Sequence, residues 1–82
     1  MAQISKLQNT RLARNLSQSQ LAAAAGINPR MLQYYEQGVK DLTAAKLATL
    51  LKLSLALECK LEDILPDGET ADLLERYTRG AG

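Results

Sequence analysis

The run Ser17-Gln18-Ser19-Gln20-Leu21-Ala22-Ala23-Ala24-Ala25-Gly26-Ile27-Asn28-Pro29-Arg30-Met31-Leu32-Gln33-Tyr34-Tyr35-Glu36-Gln37-Gly38 decides the fold. The Ser17 hydroxyl can accept from a free N–H at a helix start, and Gln20 sits at the third helical position, the pattern of a capping box. A helix from Gln18 to Ala25 follows, with Leu21 and Ala22 facing inward and Gly26 ending it. The alanines Ala22 and Ala23 leave room for a second helix to cross closely. Asn28 is the next cap, and Pro29 occupies the first helical position, where its missing N–H is no loss. That helix ends near Glu36 or Gln37, before Gly38, with Leu32 and Tyr35 at core spacing and Glu36 beside them. Arg30, Met31, Gln33 and Tyr34 point to its other faces. Two short helices thus meet across Gly26-Ile27-Asn28, where Gly26 can take a positive φ and Ile27 plugs the junction. A helix pair of purely structural meaning gives the same pattern.

Outward from this run, apolar spacing predicts four more helices. The first spans about Gln3 to Arg14, with Ile4, Leu7, Arg11 and Leu12 on one face, and Asn15 ends it in left-handed geometry. Thr43 is the expected cap of a helix from Ala44 to Leu57, whose stripe is Leu47, Leu50, Leu53, Ala56 and Leu57. A short helix over Leu61–Leu65 is stopped by Pro66, and Asp67-Gly68 reads as a turn. Residues 1–66 therefore form one bundle. Residues 67–82 form a tail, helical over 69–78, with Gly80-Ala81-Gly82 expected to be disordered.

The chain has 82 residues, 46% of them hydrophobic but only 4% aromatic. Leu and Ala must fill the core, which suits packed helices. The single cysteine, Cys59, can form no internal disulfide and lacks the spacing partners of a zinc site. Cys59 and Tyr35 read as core residues. The apolar stretch Leu47–Leu57 falls far short of the ~18 residues of a membrane span, and no signal-peptide pattern opens the chain. These features imply a soluble, cytoplasmic protein with no membrane association. The formal charge is only +1, but it is unevenly spread: residues 1–57 carry +5 and residues 58–82 carry −4. A basic front favours docking on phosphates, although ordinary surface charge gives the same numbers.

Together, Arg11, Ser17-Gln18, Leu21-Ala22, Gly26-Ile27-Asn28, Leu32 and Tyr35-Glu36-Gln37-Gly38 closely resemble the phage repressor/Cro-type (XRE-like) helix-turn-helix regulators. Thr49 to Leu57, Cys59 and Leu61 to Leu65 look like that family's fourth and fifth helices. The resemblance covers about residues 4–65 and implies an all-α, five-helix bundle with a possible extra C-terminal helix. It further implies a sequence-specific regulator of transcription, a repressor, that inserts its third helix into the major groove of double-stranded DNA as a homodimer. By the same resemblance Gln18 contacts a phosphate and sometimes an end base. Pro29, Arg30 and Tyr34 face the groove, with Asn28, Met31 and Gln33 beside them. Lys40 and Thr43 flank the fourth-helix N-terminus near the phosphate backbone, with Lys46 a weaker candidate. Arg30 suits bidentate bonds to guanine or a phosphate clamp. Pro29 departs from the polar residue often found at its position, which puts direct readout there in doubt. Arg11 and Glu36 match an ion pair joining the first and third helices. The candidate dimer elements are the fifth helix and the tail around Leu73, Leu74 and Tyr77.

A second reading is a protein-interaction module, such as the antitoxin half of a toxin–antitoxin pair, with the acidic tail serving a basic partner. Enzymatic activity has little support. There is no histidine, no Gly-rich phosphate loop and no facing carboxylate pair, since Glu62 and Asp63 are adjacent and diverge on a helix. No cofactor or metal is implied.

Overall fold

The computed structural model describes residues 5–81. It contains six helices: α1 (Lys6–Ala13), α2 (Gln18–Ala25), α3 (Pro29–Gln37), α4 (Leu47–Leu57), α5 (Leu61–Ile64) and α6 (Glu69–Ala81). A 3-10 turn at Leu42–Ala44 precedes α4, and no strand occurs among the described residues. The fold is therefore all-α. No described helix is long and apolar enough to cross a membrane.

Each start has a local cause. The Ser5 hydroxyl accepts from the Gln8 amide at 3.0 Å and opens α1. Its extended backbone places the start at Lys6 rather than Gln3; Gln3 and Ile4 lie outside the described residues. Ser17 and Gln20 complete a reciprocal capping box on α2, at 3.0 and 2.8 Å. The Asn28 side-chain oxygen Oδ1 accepts from the Arg30 amide at 2.8 Å, with Pro29 beside it.

The ends of α1 to α4 share one geometry. Asn15, Gly26, Gly38 and Glu58 all take left-handed φ values, between 53° and 78°. In each case the next amide reaches back five residues: Leu16 to Arg11, Ile27 to Ala22, Val39 to Tyr34 and Cys59 to Ser54. These bonds satisfy carbonyls that a helix end leaves free, and they turn the chain sharply. Short helices can then pack at steep angles.

The core is built on α2, which packs against α3 and α4, while α1 packs against α3 and α5. Leu7, Leu21, Leu32, Leu53, Leu57 and Ile64 are its fully buried large side chains. The small buried pair on α2 is Ala22 and Ala25, one turn apart; Ala23 is exposed, so the close crossing uses a different alanine from the one expected. Ile27 and Cys59 are half-buried against the core, and Tyr35 is buried within it. Burial pushes the Cys59 thiol pKa up, and the Asp63 carboxylate acts in the same direction.

Three expectations change. Thr43 does not cap the fourth helix. Asp41, two residues earlier, captures the Thr43 amide and hydroxyl at 2.9 and 2.7 Å, forming the 3-10 turn, and α4 starts only after Lys46, which makes no side-chain cap. Leu12 and Leu47 are exposed, because no neighbour covers their side of α1 and α4. The last helix runs on through Gly80 and Ala81 instead of ending at Thr78; Gly82 lies outside the described residues. Its Glu75 and Arg79 pair one turn apart, which supports the final turns.

The shared helix ends predict opposite effects from opposite substitutions. A Cβ at Gly26 would meet no atom, so Gly26→Ala should lose about 1 kcal/mol through left-handed strain alone. Glu58→Gly should gain up to ~1 kcal/mol by relieving the same strain. Urea unfolding midpoints at constant slope would read both changes.

Candidate nucleic-acid interface

α3 divides into two faces. Leu32, Tyr35 and Glu36 are buried. Arg30 and Gln33 are exposed, and Met31 and Tyr34 are half-buried. Met31 packs against the core, which leaves only part of its side chain for outside contact. Asn28 and Pro29 are exposed at the helix start, where the Asn28 side-chain oxygen Oδ1 is occupied by capping.

The buried face is held by an ionic cluster. Arg11 Nε donates to Glu36 Oε2 at 2.7 Å and Arg11 Nη2 donates to Oε1 at 3.0 Å. This forked pair is nearly sealed, with side chains 8% and 1% exposed. Arg11 Nη1 donates to the Leu16 carbonyl at 2.8 Å. Gln18 Nε2 adds a bond to Glu36 Oε1 at 3.0 Å. Sequence spacing did not reveal that last contact. Gln18 opens α2 and Glu36 lies in the last turn of α3, so the amide ties the two helices of the motif together. Gln18 stays half-buried, with its side-chain carbonyl free of any protein bond among the described residues.

Beyond α3 the chain doubles back. The Val39 and Lys40 amides both donate to the Tyr34 carbonyl, at 2.9 and 3.2 Å. This brings the Lys40 ammonium to 6.0 Å from the centre of the Tyr34 ring, at the limit of a cation–π contact. Arg30, Tyr34 and Lys40 therefore come from one helix and its return loop. Thr43 is half-buried, and its hydroxyl proton is directed at Asp41. The two Thr43 bonds, hydroxyl first and then amide, hold the Asp41 carboxyl below its ordinary pKa. Among the described residues no cluster of His, Cys, Asp and Glu is placed to hold a metal ion.

This geometry defines a class: two short helices crossed at a glycine turn, the second carrying polar side chains on its outer face. A family model described as "Helix-turn-helix" matches residues 7–64. The chain belongs to this family, the DNA-binding helix-turn-helix regulators of XRE-like type. Neither the curated proteins nor the solved structures compared with it include a significant match.

The ion pair and the Asp41 turn have separate, measurable consequences. Removing either partner of the sealed pair leaves an uncompensated buried charge, so Arg11→Ala and Glu36→Ala should each lose ~3–5 kcal/mol; unchanged thermal melting of both variants would refute the coupling. Asp41 is the second case. Its folded carboxyl titrates below the ordinary value, so the stabilisation of the turn is complete above the ordinary carboxylate pKa. It is lost as pH falls through the lower folded value. In an NMR titration the Thr43 amide should shift with that depressed midpoint, and Thr43→Val should move the midpoint back up.

Proposed function

We propose that this protein is a sequence-specific transcriptional repressor that binds double-stranded DNA as a homodimer, with α3 in the major groove. The observation that carries the reading is the two-faced α3. Leu32, Tyr35 and Glu36 lock one face to the bundle. The side chains of Arg30 and Gln33 on the other make no hydrogen bond or ion pair within the chain among the described residues.

On this reading Arg30 and Tyr34 carry sequence preference. Arg30 forks to guanine acceptors, and the Tyr34 ring meets a thymine methyl or a phosphate. Met31 and Gln33 flank them, with Asn28 and Pro29 at the groove wall. Gln18, Lys40 and Thr43 contact phosphates, which fixes register without reading bases. A Thr43 contact requires its hydroxyl to accept a bond or to turn away from Asp41. One module touches few base pairs, so two copies on half-sites ~34 Å apart supply the rest. The exposed Leu73 and Tyr77 beside the acids of α6 favour a second reading, capture of a basic protein partner of antitoxin type. Co-purification of a small basic protein from the native host would support it.

Selection from a random duplex pool is the direct test. The expected product is a palindrome-like site, bound with a steep negative salt slope. Arg30→Ala should then relax preference at one base position at a loss of ~1–3 kcal/mol, whereas Lys40→Ala should weaken all sequences alike and reduce the salt slope by about 1. A pool that stays unenriched at low salt would overturn the proposal.

A further inference from the structure

Two apolar stripes on this bundle lack a cover. Leu47, Leu51 and Leu55 recur every fourth residue along α4 and are 63%, 44% and 77% exposed. Leu73 and Tyr77, also four apart, are 50% and 74% exposed on α6. Residues four apart on a helix share a face, so each set forms a ridge rather than scattered surface residues. The α4 ridge adjoins the buried arc of Leu50, Leu53 and Leu57, so the apolar surface of α4 extends well past what its own bundle covers. α6 rests on the bundle along one edge only, through half-buried Ala71 and Leu74.

The charges beside the ridges are opposite in net sign. α4 and its N-cap carry Lys46 and Lys52 and no acid. α6 opens with Glu69 and Asp72, and Glu69 lies on the same ridge as Leu73 and Tyr77; Arg76, beside Tyr77, is the one base on that side. Among the described residues none of these five charges forms an ion pair.

We propose that the two ridges are halves of one interface: α6 of one copy docks on α4 of a second copy, and the reciprocal contact closes a two-fold dimer. Within one chain α6 is held on α5 and the α4 ridge stays exposed. Both complementary surfaces belong to the same molecule, which is the condition for an isologous pair that closes on itself. One helix pair is small against the ~800 Å² that a stable interface buries on each partner, and two reciprocal pairs bring it closer. α5 does not serve this interface, because Ile64 and Leu65 are already buried in the core. The inference deepens the dimeric DNA-binding reading and rests on it for its purpose, but it is tested apart from it.

The test is sedimentation velocity on the full chain with Leu51→Lys, Leu73→Glu and the double variant. Both substitutions are at exposed positions, and circular dichroism verifies that each variant is folded. The wild-type chain should be a dimer. Each single variant should weaken the dimer by roughly tenfold or more. The double variant, which sets Lys against Glu across the seam, should dimerise more tightly than either single one. A monomeric wild-type chain, a single variant that dimerises normally, or a double variant no tighter than the singles would each overturn the proposal. Anisotropy with a single half-site duplex at low salt reports on DNA separately. Half-site binding should persist in the monomeric variants. Its loss in the wild-type chain would overturn the DNA reading and leave the dimer result standing.

Discussion

The orientation of α3 depends on the Arg11–Glu36 pair. Its two charges come from α1 and α3, and Gln18 of α2 is bonded to the same carboxylate. A sealed ion pair is weak evidence of net stability, since desolvation offsets most of the attraction. Its contribution here is geometric. A planar guanidinium and a planar carboxylate meet in a fork that allows little rotation. Apolar residues of similar volume would fill the space but permit α3 to roll. The pair, with buried Leu32 and Tyr35 beside it, holds α3 in the roll that leaves Arg30 and Gln33 facing out.

The same rigidity extends along the backbone. The helices α1 to α4 are between 8 and 11 residues long, too short to be stable alone. The left-handed ends of α2 and α4 bring the next helix back after three residues, and tertiary packing then stabilises these short segments. Gly26 and Gly38 adopt this geometry without strain, Asn15 at little cost, and Glu58 at more. At Glu58 the carbonyl accepts from Arg14 Nη2 at 3.0 Å, a bond that ties the end of α4 to the end of α1.

Features with a local physical cause were legible in the sequence. The Ser17–Gln20 box, the Asn28-Pro29 start and the Gly26 and Gly38 ends each depend on residues a few positions apart. The split of α3 into inner and outer faces follows from helical period alone. The Arg11–Glu36 pairing was available through family resemblance, not spacing. The Gln18–Glu36 bond joins residues 18 apart, and no periodicity encodes it. Thr43 was misread because Asp41 is an equally good cap two residues earlier and binds both the Thr43 amide and hydroxyl. Leu12, Leu47 and Ala23 show a different limit. Hydrophobic period marks an apolar arc, but which part of that arc is covered depends on neighbours distant in sequence. The continuation of α6 through Gly80 runs against the low helix propensity of glycine, at about 1 kcal/mol.

On the proposed reading, the charge distribution links DNA binding to self-association. A protein of net charge +1 gains little from non-specific phosphate attraction, because each neutralised phosphate needs its own cation. The acids lie mainly on α5 and α6 and the bases on α1 to α4. On the proposed reading one copy brings few cations to the duplex and binds weakly by itself. Joining two copies makes the second half-site an intramolecular target, so avidity replaces raw charge. Linkage then works in both directions: DNA that engages both copies stabilises the dimer by the same free energy that the dimer adds to DNA binding.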